Sequence, residues 1–453
     1  MTGLLAHAIP ISYRFPLPIW LYLVAGGAAV LLSAPAAAFG LRDREPWHSR
    51  NLYPALRRLR LGPILLTLCA ALFILCLVAG LAVPTDESHE FFENPATLLI
   101  WVDFWVLLGI VSAFLGNVWE FVSPLNAAAR ALDRTLARLD VSPFGYPERL
   151  GRWPAVVLLV WWSWAELIWV PGKHPPVLAS LALGYFVATL FGAAAFGAEA
   201  WLGNVEVFTV VARTFSRFAP FGLEPGSPDG WLAEPPERRT VRARAYGTGL
   251  REGAGEPAAS GIFVLALLAT VVYDGFSQTA KFISLENWFF ARSSWLGDHL
   301  TVFETLLMLA IVSLFALAYA LVANLLEGRD AARRYAPTLI PIAAVYFAAH
   351  YLTYLLFAGQ ETLAVLVDPF GHSWNPWGLG EYGIRKGIAP AAAVWWVQIL
   401  LIVWGHVSGV FAAHRLAPDR RRALVLQAPL VLLMVAYTVV GLWVLAQQLS
   451  GVD

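Results

Sequence analysis

Charge is what this 453-residue chain has least of. Charged residues make up 14% of it and hydrophobic residues 58%, and the mean hydropathy is +0.63. A water-soluble chain carries about a quarter charged residues, because its surface has to be hydrated. The shortage excludes a soluble globular protein, and the abundance of apolar residues excludes a disordered one. Net charge is lacking as well. The 31 Lys and Arg balance the 31 Asp and Glu, so net charge by itself says nothing about nucleic-acid or acidic partners; no nucleic-acid partner is expected. Cysteine is scarce: only Cys69 and Cys76 are present. On one helix they lie about 10 Å apart, too far for a disulfide, and read as small apolar packing residues. Familiar chemical motifs are missing too, with no Walker A, GxSxG, CxxC, CxxCH or HExxH pattern.

What the chain does have is long apolar runs. A membrane span needs about 20 mostly apolar residues. Ten runs meet that length, at about 17–40, 62–84, 96–118, 153–171, 177–198, 258–277, 300–325, 337–358, 390–413 and 424–448. The first does not read as a secretory signal, since no basic region precedes it and the apolar stretch is too long. Pro84, Pro154, Pro171, Pro337 and Pro390 bound several of the runs. Trp101, Trp105, Trp153, Trp169 and Trp201 sit near run ends, where indole rings anchor at the interface. The expectation is an all-α, polytopic helical bundle of about ten transmembrane helices, forming one transmembrane domain over 1–453 with the lipid bilayer as its first partner. No internal repeat or inverted symmetry stands out, which counts against the repeat-built transporter folds.

The basic residues alternate from loop to loop. Of the 31 Lys and Arg, 25 fall in 41–61, 119–152, 199–257, 326–336 and 414–423, and six in the segments between. By the positive-inside rule the rich loops are cytoplasmic and both termini extracytoplasmic. The longest basic loop, 199–257, is expected to begin with a short amphipathic helix at the interface over Glu206–Pro220, with Arg213 and Arg217 on one side. A Gly-, Pro- and Arg-rich linker would follow over 221–257.

Ionisable groups inside lipid cost about 2.5–3.5 kcal/mol or more each and are functional candidates by default. Helical rise places Asp103, Glu166, Asp274, Glu304 and His350 in five different spans, all in the extracytoplasmic half. His7, His89, His174, His299 and His372, with Asp86, Glu87, Glu90, Glu93, Asp298, Glu361 and Asp368, lie in the segments above them. Two readings follow. Either these groups converge in one polar cavity as an acid–base or metal site, or each snorkels or pairs singly with a neighbouring helix. In the convergent reading His350 is a ligand or general base, Asp274 and Glu304 are ligands with His7 as a further one, and Glu166 orients them. A divalent metal would be the cofactor. His350 and His406 also have the setting of axial haem ligands, though their depths differ by about 10 Å or more, too much to share one metal. Pro337–Pro341 is expected to unwind the first turn of its span.

Several segments together resemble a known family. They are Ala6–Ile9 with Phe15–Leu21, Gly116–Trp119 with Ser123–Pro124, Tyr146–Pro154, and Phe196–Trp201 with Phe208–Val210. Asp274–Ser277, Tyr335–Pro341 with His350–Tyr351, Asp368–Gly371, Gly405–Val407 and Tyr437–Val439 continue the match. This combination is similar to bacterial membrane proteins of the fenitrothion hydrolase family and covers nearly the whole chain. Two departures are His7-Ala8, where the family has His-Gly, and Asn204–Val207, where it has Gly-Asp-Pro ahead of Phe-Thr-Val.

The resemblance implies a membrane-embedded hydrolase of hydrophobic aryl phosphotriesters. Such chemistry needs an activated water and an electrophile that stabilises charge. Two other functions fit the residues. One is a transporter whose intramembrane charges line a path, with Glu199 and His406 continuing the cluster as a relay. The other is a haem- or copper-binding membrane subunit that serves an extracytoplasmic redox partner.

Overall fold

The computed structural model describes residues 17–40, 50–82, 94–224, 231–232, 234–253, 256–327, 330–381, 383–385, 387–417 and 423–450. Helices dominate them, as the apolar runs require: with no water in a bilayer core, each span satisfies its backbone groups internally. Along the chain these are α1 (Ile19–Gly40), α2 (Leu61–Ala82), α3 (Trp105–Phe114), α4 (Pro124–Arg138), α5 (Trp153–Leu167) and α6 (Pro175–Phe196). Then come α7 (Val207–Phe215), α8 (Ala258–Ser277), α9 (Leu300–Glu327), α10 (Leu339–Phe357), α11 (Ala391–Leu416) and α12 (Ala423–Ser450).

Among the described residues nine helical segments are long and apolar enough to cross a membrane, one fewer than the ten apolar runs. The exception is the run at 153–171. Its helix, α5, has 15 residues, about 22 Å of rise against a hydrocarbon core of about 30 Å. Pro171 has no N–H to continue a helix, and the chain leaves α5 through an extended Trp169 into a 3-10 turn at Val170–Lys173. The third crossing, Pro95–Phe114, is composite. A single turn at Pro95–Thr97 leads into a π-helical stretch over Leu98–Phe104 and then into α3. Such wide turns inside helices recur at functional sites, and this one carries Asp103. The expected unwinding before the eighth run takes the form of a 3-10 turn at Ala336–Thr338.

The core is built on α8 and α10. Nearly every residue of α8 from Ala259 to Gly275 is buried, and so is every residue of α10 from Leu339 to Tyr351. They pack on each other, with α5 and α9 also against α8, and α3 and α11 against α10. A helix that is apolar all round belongs in such a place. By contrast α2 and α9 leave Leu68, Ile74, Leu314, Leu317 and Leu321 exposed, as lipid-facing helices do.

The loop at 199–257 departs from expectation in both halves. The segment that opens as an amphipathic helix is α7, and it does not lie on an interface. Eight of its nine residues are buried, and it packs on α3, α5 and α10. All eight are apolar or Thr, and Glu206 caps the helix from within, accepting from the Phe208 and Thr209 amides at 3.0 and 2.7 Å. The expected linker contains a two-stranded antiparallel sheet, β1 (Phe221–Glu224) with β2 (Thr240–Ala243), and a 3-10 turn at Thr248–Gly253.

Ion pairs lock this basic end. Arg130 on α4 bridges Glu120 and Glu199, each at 2.5 Å, and Arg213 on α7 reaches the same two carboxylates at 3.5 and 2.9 Å. A second group joins Glu256, at the start of α8, to Arg152 at 2.7 Å and to Arg217. Arg152 also donates to Ser260 and to the Gly203 carbonyl.

Candidate functional site

Asp274 and His350 meet in the middle of the core. His350 Nε2 lies 2.8 Å from Asp274 Oδ2, and the two residues are 3% and 0% exposed. The contact depends on Gly275. A side chain there would strike Val444 at 2.3 Å and the His350 ring at 3.3 Å, so the glycine is what lets α10 and α12 close on this turn of α8. Ser277 completes the end of α8 by donating to the Asp274 carbonyl. Aromatic rings seal the pair. Tyr351 stands edge-on to the imidazole at 4.7 Å, and Tyr346 lies nearly parallel to it at 6.3 Å. The Tyr351 hydroxyl is also close to Asp274 and to the Trp105 indole.

Glu166, on α5, faces the same place. It is 5% exposed, its Oε1 has no hydrogen-bond partner, and its charge and that of Asp274 act on each other. A partner arrives from the turn after α5. Lys173 lies within electrostatic reach of Asp274, Glu304 and Glu166. Burial holds its ammonium below the usual lysine range, against the opposing pull of those three carboxylates. Gly172 makes the turn tight enough, because any side chain on it would meet the Ala165 carbonyl at 2.7 Å. Glu304 sits at the rim in the first turns of α9, beside Lys173 and Glu286. The Trp164 indole donates to Thr305 at 2.8 Å and fastens α5 to α9 there.

Asp103 is elsewhere. Its Oδ2 accepts from the Thr362 hydroxyl at 2.7 Å, and it lines an apolar cavity of about 470 Å³ between α2, the third crossing, α5, α6 and α7. Tyr354 feels the charge of both Asp103 and Asp274 and stands between the two places.

Of the five expected site residues, then, Asp274, His350 and Glu166 come together, Glu304 joins them at the edge through Lys173, and Asp103 belongs to a separate cavity. Among the described residues no three His, Cys, Asp or Glu side chains are grouped to hold a metal, so His350, Asp274 and Glu304 are not the ligand set expected. His7 lies outside the described residues, as do His89, Asp86, Glu87, Glu90 and Glu93. His174, His299 and His372 are exposed. The last two turn Nδ1 to the carbonyls of Trp295 and Phe370, while Asp368 accepts from the amides of His372 and Trp374. An axial haem bond does not fit His350, whose Nε2 is engaged by Asp274 and whose ring is packed on both sides. Glu199 is held by Arg130 and Arg213. His406 is buried, with Nδ1 2.8 Å from the Ile402 carbonyl and Nε2 without a partner.

Lys173 is the functional candidate that sequence reasoning passed over. Its signal was present: it is the one basic residue in 172–176, a Lys/Arg-poor segment. The tyrosines around the pair and the π-helical turn carry no comparable mark. No family model matches the chain, and neither a curated protein nor a solved structure does.

Proposed function

We propose that the protein is a proton-coupled membrane transporter in which the Asp274–His350 pair takes up and releases the proton. The observation that carries this reading is the pair itself: a carboxylate and an imidazole in contact, almost wholly closed off by protein. Histidine titrates in the physiological range, and intramembrane carboxylate–histidine chains are the usual carriers of protons through lipid. Protonation changes the pair from a net anion to an internally balanced ion pair. In a low-dielectric core that charge difference can bias how α8 and α10 pack.

A route toward each end supports the reading. Glu166 and Lys173 lead from the pair to the Lys/Arg-poor end. Toward the basic end, α10 and α11 run antiparallel, in a register fixed by Gln398 donating to the Ala349 carbonyl at 2.9 Å and by Gly409 against the Thr338 carbonyl. Along these two helices, among the described residues, Gln398 Oε1, Tyr346 Oη and His406 Nε2 are buried polar atoms with no hydrogen-bond partner. Gln398 is level with His350, Tyr346 lies about 6 Å further down and His406 about 12 Å. Buried polar groups are normally satisfied, and a descending series left open is suited to passing a proton.

The test is proton movement in sealed proteoliposomes under an imposed pH gradient, read with an enclosed pH dye. Asp274→Asn and His350→Gln are expected to abolish it and His406→Leu to slow it strongly. Flux unchanged in the first two variants removes the proposal.

A second reading is hydrolysis of hydrophobic aryl phosphotriesters, the activity implied by the resemblance. The large apolar cavity favours it, with room for such a substrate beside Asp103 as general base. Release of nitrophenol-type product by the wild type, lost in Asp103→Asn, would support it.

A further inference from the structure

We infer that the cavity around Asp103 is a binding site for a lipophilic organic cation drawn from the bilayer. Its volume, about 470 Å³, falls in the range of small-molecule sites, about 300–1,000 Å³. Its lining is almost entirely apolar and rich in aromatic rings, with Trp101, Trp119, Trp161, Trp162, Phe104 and Phe208 among its walls. It opens on the side of the molecule that faces lipid, where Leu65, Leu107 and Trp161 are each more than a third exposed. Asp103 is the one acidic side chain in the lining, and among the described residues no Lys, Arg or His joins it.

A carboxylate in such a place carries a desolvation cost, which a countercharge offsets and which the group otherwise avoids by keeping its proton. Among the described residues Asp103 receives a hydroxyl, from Thr362, and no cation lines the cavity. Ring faces add to the argument, since they attract cations that come within about 6 Å of their centres. An anionic or purely neutral guest would leave Asp103 uncompensated. An aromatic cation satisfies both walls at once, with its rings among the tryptophans and its charge beside the carboxylate. The π-helical turn at Leu98–Phe104 carries Trp101, Asp103 and Phe104 together into this wall.

As the transported substrate, this cation rests on the proton-coupled reading given above; as a bound ligand it does not. The two places touch through α5, where Ala165 lines the cavity and the next residue, Glu166, faces Asp274. A cation entering beside Asp103 would act electrostatically on the proton site across Tyr354, which feels both carboxylates. Exchange of a cation for a proton is the coupling that this arrangement provides.

The experiment uses the full chain in nanodiscs of zwitterionic phosphatidylcholine, with labelled tetraphenylphosphonium as the probe and tetraphenylborate, of like shape and opposite charge, as its control. Saturable binding of the phosphonium is expected, with none of the borate. Asp103→Asn should weaken it at least tenfold while keeping an acceptor for Thr362. Ala182→Trp, which fills the cavity from α6 and leaves Asp103 in place, should do the same and decides the matter if the first variant does not fold. No saturable binding to the wild type, undiminished binding in both variants, or a neutral aryl phosphotriester bound equally well in wild type and Asp103→Asn would overturn the site. Asp274→Asn separates the two proposals. It is expected to retain phosphonium binding while losing phosphonium-driven proton movement. Binding without such movement in the wild type would overturn the coupling and leave the site standing. Proton movement without binding would do the reverse.

Discussion

Two groups of buried charge stand at opposite ends of this bundle, and they are built on opposite rules. At the basic end the ionic carboxylates have guanidinium partners: Glu120 and Glu199 share Arg130 and Arg213, and Glu256 has Arg152 and Arg217, while Glu206 is held by the Phe208 and Thr209 amides. At the other end Asp274 is matched with an imidazole, Glu166 keeps an oxygen without a hydrogen bond, and a lone Lys173 serves three carboxylates. Full pairing fixes a structure. Sharing one imidazole and one lysine among several carboxylates is the arrangement on which the proposed proton step rests. The contrast teaches that burial of charge in a membrane protein says little about function until the partners are counted.

The contrast breaks most sharply at Glu120. Its side chain is 1% exposed and holds two arginines. Removing one member of a buried ion network strands the other charges, at a cost of about 3–5 kcal/mol. Glu120→Ala is expected to lower stability by that amount in detergent unfolding, and to reduce proton movement only in proportion to folded protein. Should it unfold no more easily than the wild type, the basic end is not the clamp described here.

At the other end the expected order is reversed. Asp274→Asn keeps the shape and an acceptor for His350, so its effect on unfolding should stay within about 0.5–1.5 kcal/mol, the worth of one hydrogen bond. Proton movement should nevertheless vanish. A stability loss as large as that of Glu120→Ala would make the pair a structural tie instead. Glu166→Gln sharpens the point further. Replacing a buried carboxyl that keeps one oxygen without a hydrogen bond lowers a desolvation penalty, so stability should hold or rise slightly while the rate and pH dependence of proton movement change.

The fold was legible in the sequence because the membrane requirement is a matter of composition: twenty apolar residues in a row carry their own message. Where it failed, the reason is tertiary. The run at 153–171 is apolar enough to span, but Trp169, Val170 and Pro171 belong to a turn that folds Lys173 back on Glu166, and hydropathy does not distinguish the two. Glu206–Pro220 reads as an interfacial helix from its arginines. Yet Arg213 is drawn inward by Glu120 and Glu199, which lie many residues away, and the helix follows it into the core. Helical rise set Asp103 at the same depth as Asp274, and depth was correct to seek, but it carries no azimuth. Which way a residue points around its helix depends on neighbours. For Asp103 it also depends on a π-helical turn that LLIWVDF does not announce.

The smallest effect tests the clamp through pH. Burial alone would push the Glu256 carboxyl up. The hydrogen bond from Arg217 and the charges of Arg217 and Arg152 outweigh it, and hold the group below the usual glutamate range. A group whose folded pKa is depressed stabilises the fold above its unfolded pKa, about 4.3 for glutamate. That contribution fades as the pH falls through the folded value. The side chain is 22% exposed, so solvent screening limits the contribution to about 1 kcal/mol or less. Stability measured from pH 7 downward should therefore decline below about pH 5, and Glu256→Gln should remove part of that slope while lowering stability at pH 7. The arginines would then face an amide. If the slope is unaltered in Glu256→Gln, the ion pairs at the start of α8 contribute nothing measurable, and the clamp reduces to the network around Glu120.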